Sequence, residues 1–198
     1  MTSVSNNSQP CVAQVRVVRG AGGGPDKTIF KSTKFLRESG FRPLTIYMYD
    51  GTTEGFDVIR RRALNHDCEL IAIPDRRPLD VSVLRRLREV CCENQIRIWH
   101  GHDYKANFAG LLLRQFHPML LISEVQGWVT ESPRMSFYTW IDKKAIRGYD
   151  HVVTVSADLY EQCRCLGISE DRLTLLENAV DGSDFVRSKL RKKNETCG

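Results

Sequence analysis

The residues of this chain best suited to chemistry follow the short apolar segment 96–99. Two histidines stand there with three further polar residues, and the group is His100, His102, Tyr104, Lys105 and Asn107. These side chains suit sugar hydroxyls as well as phosphates, so the sequence leaves the choice between the two open. Lys105 falls near the positive end of a predicted helix, where a basic residue is locally unfavourable. We therefore expect a bound anion beside Lys105.

A second polar segment, Gln126-Gly127-Trp128, follows the apolar run 119–125. An apolar helical pattern separates the two polar segments, which predicts the order strand, loop, helix, strand and loop. A strand-helix-strand unit makes its strands parallel, so both loops would lie at one edge of the sheet. Open α/β sheets bind ligands at that edge. The sequence therefore predicts one binding site built from both segments.

A glycine-rich segment, 20–28, connects a predicted first strand at 13–18 to a helix predicted at 27–39. Glycines let backbone N–H groups approach a ligand closely, and the positive end of the helix favours an anion such as phosphate. The spacing does not match the dinucleotide fingerprint, because Pro25 stands at the third glycine position. It does not match the Walker loop either, because Gly-Lys-Ser/Thr is missing. A plain turn needs one glycine, so the cluster favours a binding function over a purely structural one.

The whole chain alternates short apolar runs with amphipathic segments, which predicts an α/β fold. About seven strands are predicted, at 13–18, 43–49, 69–73, 96–99, 119–125, 150–155 and 172–176. They would form one mainly parallel sheet in a Rossmann-like three-layer domain. Asp103 and Ser156 are predicted as helix N-caps, and Cys91, Phe137 and Trp140 as core residues because of their helical spacing. We expect a disordered leader at 1–12, one domain at 13–181 and a basic tail at 182–198.

Charge and cysteine usage limit the classes of function. Five basic residues against Glu195 give the last twelve positions +4 of the +5 formal charge, so the body carries only +1. A nearly neutral body does not indicate nucleic-acid binding, although the tail could contact an anionic membrane. The seven cysteines are odd in number, which suggests free thiols in a reducing compartment. Their spacing fits no zinc motif, so we expect no metal site.

The start of the sequence lacks the basic and apolar pattern of a signal peptide. No apolar run approaches the ~20 residues needed to cross a bilayer. We therefore expect a cytoplasmic protein whose contact with a membrane is at most peripheral.

Four segments, in this order, resemble the amino-terminal half of the family 4 glycosyltransferases, which have the two-domain GT-B architecture. They are the glycine segment 22–28, the histidine segment 100–107, the segment 124–128 and the segment 176–181. The last resembles the family's Asn-Gly-Val/Ile-Asp element, where the chain crosses into the second domain. The resemblance covers about residues 13–185 and implies one half of a GT-B enzyme.

The resemblance assigns roles to particular residues. In the family, the amino-terminal domain mainly binds the acceptor, the carboxy-terminal domain binds the nucleotide-sugar donor, and transfer retains the anomeric configuration without a cofactor or required metal. For this chain it implies Gly22, Gly23, Gly24 and Lys27 near the donor diphosphate, and His102 and Gln126 in catalysis. It implies an acceptor side lined by His100, Tyr104, Lys105, Asn107, Gly127 and Trp128, with Glu177 and Asn178 at the domain boundary.

Two departures from the family pattern matter. Gln126 stands where the family commonly has a histidine, and glutamine can orient a sugar hydroxyl but cannot titrate. The donor-binding domain is missing from these 198 residues. We therefore expect the isolated chain to be inactive, with a nucleotide-sugar and a sugar or lipid acceptor as substrates and a separate donor domain or self-association to complete it. A sugar- or protein-binding module without catalysis is the alternative, and the glycine spacing disfavours a dinucleotide-dependent oxidoreductase.

Overall fold

The computed structural model describes residues 9–51, 53–76, 80–128 and 130–177. The strands are β1 Cys11–Val18, β2 Arg42–Tyr49, β3 Leu70–Pro74, β4 Ile96–Gly101, β5 Leu120–Val125, β6 His151–Thr154 and β7 Leu173–Leu175. The α-helices are α1 Gly24–Glu38, α2 Thr53–Asn65, α3 Val81–Glu93, α4 Tyr104–Arg114, α5 Pro133–Ile146 and α6 Ala157–Cys165. The predicted basic tail, most of the predicted leader and Asn178 lie outside the described residues.

All seven strands form one parallel sheet in the order β3-β2-β1-β4-β5-β6-β7. The predicted Rossmann-like α/β fold is therefore confirmed. The chain runs outward from β1 to β3 and then returns to place β4 on the other side of β1. This reversal makes a crevice beyond the carboxyl ends of β1 and β4, which is the ligand-binding position in open α/β sheets.

Side chains on the two faces of the sheet enter two separate cores. Leu44, Ile46 and Met48 of β2 join the larger cluster, which includes Trp99, whereas Tyr47 between them joins the smaller one. Successive side chains of a strand point to opposite faces, so the two clusters lie on opposite sides of the sheet. Helices α1 and α2 cover the smaller cluster, while α3, α4 and α6 contribute to the larger one. This arrangement gives the predicted three layers.

The first strand begins at Cys11, so the predicted leader, 1–12, extends two residues too far. Cys11 pairs with Arg42 of β2, and both Cys11 and Val12 are buried. Their apolar side chains belong to the cores rather than to a disordered segment. The first helix also begins earlier than predicted, at Gly24, because Gly23 acts as its N-cap and Asp26 bonds back to the Gly23 amide.

The prediction that the aromatic residues of α5 lie in the core was also wrong. Phe137 and Trp140 are each 56% exposed, and their rings stack on each other at 6.1 Å. The helix packs through Asp142, Ala145 and Ile146 instead. Cys91 of α3 is fully buried, as predicted. Among the described helices, none is long and apolar enough to span a membrane.

Candidate functional site

The start of α4 is attached to the end of β1 through one carboxylate. Asp103 is the predicted N-cap: its Oδ1 atom accepts from the backbone N–H groups of Lys105 at 2.9 Å and Ala106 at 3.0 Å. Its Oδ2 atom accepts from the N–H of Val17 at 2.5 Å. Burial raises the pKa of the Asp103 carboxyl, and the hydrogen bond from Val17 opposes that rise. The segment that carries the histidines is therefore held firmly against the central strand.

A chain of polar side chains crosses three neighbouring strands at this edge. The Nε2 atom of His102 lies 2.5 Å from Gln14 Oε1, and its Nδ1 atom lies 3.3 Å from Glu124 Oε2. The Nε2 atom of His100 lies 3.8 Å from the same carboxylate oxygen. The other oxygen of Glu124 accepts from Gln126 Nε2 at 2.7 Å. Both ring nitrogens of His102 are thus directed at protein groups, and the two predicted catalytic residues meet through Glu124.

The electrostatics of this cluster differ from those of free side chains. Burial and the neighbouring His102 lower the pKa of His100 to about 3, so this imidazole is neutral at pH 7. Burial alone would raise the pKa of the Glu124 carboxyl. The close contact and charge of His102, with the hydrogen bond from Gln126, nevertheless lower that pKa to about 2. Glu124 is therefore a buried carboxylate at neutral pH.

Gln14 and Glu124 are among the site residues that the sequence did not single out. Glu124 interrupts an apolar strand, and Gln14 does the same in β1. A polar residue within an otherwise apolar strand of a parallel sheet is a usable signal, because both faces of such a sheet are covered. That signal does not identify the partner, which depends on the order of strands.

The anion beside Lys105 is a side chain of the protein. Lys105 Nζ lies 2.6 Å from both carboxylate oxygens of Asp75, which follows β3. A bound anion was expected beside Lys105, but this lysine already has an anionic partner within the protein. The helix start remains balanced because Asp103 caps it.

A cavity of about 190 Å³ lies between α4, α5 and the end of β5. Among its lining residues are His102, Tyr104, Asn107, Gln126, Gly127 and Trp128. Asp142 of α5 forms its floor, where it accepts from Asn107 Nδ2 at 2.7 Å and Trp128 Nε1 at 2.9 Å. Burial raises the pKa of Asp142, although both hydrogen bonds oppose that rise. The structure thus brings six of the predicted catalytic and acceptor-side residues to one cavity.

A larger cavity, of about 630 Å³, lies beside the glycine segment. Gly22 and Gly23 line it together with three arginines, namely Arg16, Arg19 and Arg134. Gly24 and Lys27 are not among its lining residues. The Gly23 N–H is bonded to the buried carboxylate of Asp26 at 2.5 Å, so that amide already has an internal acceptor. The positive charge at this cavity comes from the arginines.

Two tyrosines connect these cavities. The rings of Tyr104 and Tyr138 stack with centroids 4.4 Å apart and planes 9° apart. Both tyrosines line the two cavities above and a third one, of about 230 Å³, that Lys105 and Asp75 also line. Arg134 lies over the Tyr138 ring and donates to its hydroxyl at 3.0 Å. The stack therefore lies where the three cavities adjoin.

The sequence profile of a Glycosyl transferase 4-like domain matches residues 13–179. The chain belongs to this family. The match covers the glycine segment, both polar segments, most of β1 and the other six strands, which confirms the predicted resemblance. Comparison with curated protein sequences gives no significant match.

Solved structures with GT-B folds show the same architecture as this glycosyltransferase-like domain. A glycosyltransferase from Rickettsia africae ESF-5 is 18% identical with a TM-score of 0.63; 89% of this chain covers 45% of that one. Anabaena Alr3699/HepE in complex with UDP is 11% identical with a TM-score of 0.66; 88% of this chain covers 45% of it. At such identities the likeness concerns the fold. The chain spans about half the length of these relatives.

The glycosyltransferase-like domain contains Glu177 two residues after the end of β7, and the side chain is exposed. This position follows the last strand of the sheet, as expected for a boundary residue. Its predicted companion, Asn178, lies outside the described part of the chain. The interdomain role of both residues stays a prediction.

Proposed function

We propose that this chain is the acceptor-side domain of a retaining glycosyltransferase that transfers a sugar from a nucleotide-sugar to a sugar or lipid acceptor. The family match over residues 13–179, together with the two cavities at the carboxyl edge of the sheet, carries the proposal. The donor-binding domain would belong to a longer or a separate chain. The protein would act in the cytoplasm, with peripheral membrane contact at most.

The larger cavity suits the donor diphosphate. Arg19 supplies positive charge beside Gly22 and Gly23, where the first helix begins, and Arg16, which lies 3.6 Å from Asp26 Oδ1, borders the same cavity. Stabilising the negative charge of a departing diphosphate is the main physical task of such a transfer, and fixed positive groups accomplish it. Solved Anabaena Alr3699/HepE binds UDP-glucose, which supports a nucleotide-sugar as donor. Gly24 and the exposed Lys27 would contribute from the adjoining helix start.

The smaller cavity suits the acceptor. Gln126 donates to Glu124 through Nε2, which leaves its amide oxygen to accept from a sugar hydroxyl. Trp128 and Tyr104 supply apolar faces on which a sugar ring can pack. His102 is held by Gln14 and Glu124, so its catalytic role would be to keep Glu124 and Gln126 oriented toward the reacting hydroxyl. His100, Lys105, Asn107 and Gly127 would complete the acceptor side.

Joining this chain to the donor domain of a family member tests the proposal. The hybrid is incubated with a panel of labelled nucleotide-sugars and lipid or sugar acceptors, and transfer is measured by chromatography. Transfer should fall at least tenfold in Gln126→Ala, because one orienting hydrogen bond is lost. Gln115→Ala, at an exposed position after α4, is the matched control. Sub-micromolar binding of a nucleotide-sugar by the isolated chain would contradict the assignment of the donor site to another domain.

A non-catalytic binding module is the second candidate. It is favoured by Gln126, which cannot take up a proton, and by the engagement of both ring nitrogens of His102. Glycan-array binding by the isolated chain, unchanged in a hybrid that makes no product, would support this reading. Formation of a glycosylated product that depends on Gln126 would exclude it.

A further inference from the structure

Three ligand-type atoms converge at the ends of β4 and β5. His100 Nε2, His102 Nδ1 and a carboxylate oxygen of Glu124 all lie within 4.8 Å of one another. Both imidazole nitrogens are buried and have no hydrogen-bond partner, and both approach the same oxygen, Glu124 Oε2. The side chain of His102 is only 2% exposed. Unpartnered buried nitrogens are costly, so their shared direction calls for a physical reason.

The hydrogen bond of His102 to Gln14 determines which of its two ring nitrogens carries the proton. Gln14 Oε1 can only accept, so the Nε2 atom of His102 must carry the hydrogen. The Nδ1 atom of a neutral ring then presents a lone pair to a negatively charged oxygen 3.3 Å away. A proton on Nδ1 would satisfy His102 but would leave His100 Nε2 without a partner. A cation between the three atoms satisfies all of them at once.

The spacing of the atoms fits a metal ion bound by nitrogen and oxygen. Two ligands about 2.1 Å from a tetrahedral zinc ion lie about 3.4 Å apart. The observed separations from Glu124 Oε2 are 3.3 Å for His102 and 3.8 Å for His100. The three ligand atoms lie within 4.8 Å of one another, so binding would draw them closer together. The side chain of His100 is 19% exposed and lies at the end of β4, next to a loop.

The surroundings are those of an oriented metal site. Ligating histidines usually donate their other nitrogen to a carbonyl or carboxylate, and ligating carboxylates are hydrogen-bonded in turn. Here Gln14 accepts from the other nitrogen of His102 through its amide carbonyl, and Gln126 donates a hydrogen bond to Glu124. Both histidines have the i, i+2 spacing that places them on one face of the strand end. The sequence predicted no metal site because its cysteine spacing fits no zinc motif. The cluster of His100, His102 and Glu124 contains no cysteine, so that argument does not apply to it.

We propose that His100, His102 and Glu124 bind one divalent transition-metal ion, with zinc as the best match to this donor set. Two imidazoles and one carboxylate leave a fourth position for water or another oxygen ligand, as in zinc sites with three protein ligands. His102 and Glu124 line the smaller cavity, so that position would be reached from the acceptor side. The site is independent of whether a donor domain is present.

The test uses the full chain, stripped of metal with a chelator and titrated with Co(II). One equivalent should bind and give the visible absorption of four-coordinate cobalt, and Zn(II) should displace it. His100→Gln and Glu124→Gln should each weaken Co(II) binding at least tenfold. His66→Gln is the matched control, because this exposed histidine lies far along the chain from the cluster. X-ray absorption of the zinc form should show nitrogen and oxygen ligands only.

A surface cysteine and histidine could also bind cobalt, so they need a control of their own. Cys92 Sγ lies 4.0 Å from His117 Nδ1 on the exposed surface. Cys92→Ser should leave the cobalt spectrum unchanged, and loss of binding in that variant would overturn the proposal. No visible absorption at millimolar Co(II), or equal affinity in Glu124→Gln and the unaltered chain, would also overturn it. Circular dichroism of the metal-free variants verifies that each is folded, and Glu124→Gln keeps the shape needed for the Gln126 hydrogen bond.

Discussion

Lys105 Nζ lies 2.6 Å from both carboxylate oxygens of Asp75, and this ion pair connects the start of α4 to the end of β3. The side chains are only 15% and 8% exposed. The pair crosses from one half of the sheet to the other, beside the switch point where the strand order reverses. It therefore holds the two walls of the candidate site together.

Asp75→Asn should lower the free energy of unfolding by about 3 kcal/mol, because it leaves the lysine charge poorly compensated in a nearly buried position. Urea denaturation at pH 7 measures the change. Asp75→Asn combined with Lys105→Met should recover most of the loss. Asp67→Asn, in the exposed pair with Arg37, is the control and should cost under about 1 kcal/mol. Equal effects of Asp75→Asn and Asp67→Asn would show that burial does not matter here.

Asp103→Ala should be among the most destabilising single changes at the site. It removes the cap of α4 and leaves the Val17 N–H without its acceptor, which together cost about 3 kcal/mol. Ser156→Ala removes only the cap of α6 and should cost about 1 kcal/mol. The two variants are compared by thermal and urea unfolding. A loss at Asp103 no larger than at Ser156 would refute the connection to β1.

Gly55 allows α2 to pack directly against the glycine segment. A Cβ atom at this position would meet the backbone of Gly20. Gly55→Ala should therefore lower stability by about 2 kcal/mol, despite the better helix propensity of alanine. Gly24→Ala, at a helical glycine with open space around it, is the matched control and should be neutral or stabilising. A stabilising effect of Gly55→Ala would mean that α2 can move away without loss.

The cysteines should separate into two reactivity classes. Burial raises the pKa of Cys91 to about 12 and that of Cys163 to about 11. At pH 8 these thiols are almost entirely protonated and shielded, so iodoacetamide should not modify them in the folded chain. Cys92 and Cys165 are exposed and should react. Peptide mass spectrometry measures each site, and alkylation of Cys91 before unfolding would contradict the described packing.

Exposed apolar side chains should cause self-association or partner binding. Phe137 and Trp140 are each 56% exposed, and Leu175 and Leu176, at and just after the end of β7, are 41% and 64% exposed. Phe137→Ser with Trp140→Ser should shift a concentration-dependent oligomer toward monomer in light scattering. Phe116→Ser, at a separate exposed aromatic, is the control and should leave the distribution unchanged. A monodisperse monomer of the unaltered chain at high concentration would contradict the prediction.

Local patterns in the sequence determined the fold and the outline of the site. The alternation of apolar runs and amphipathic segments predicted seven strands, and the structure has seven in one parallel sheet. Asp103 and Ser156 were recognisable as caps because capping depends on neighbours a few residues away. The two polar segments were assigned to one edge because parallel strands end on the same side. Each of these inferences needed only short-range information and the geometry of a β-α-β unit.

Only the tertiary structure decided which side chains meet. Gln14 and His102 are 88 positions apart, and Lys105 and Asp75 are 30 apart, yet both pairs are in contact. Their meeting depends on the strand order, which places β4 beside β1, and no local pattern encodes that order. The exposure of Phe137 and Trp140 has the same origin: helical spacing shows that residues share a face but not whether another element covers it. Packing between distant elements is a property of the whole chain, and it determines which polar groups are buried together.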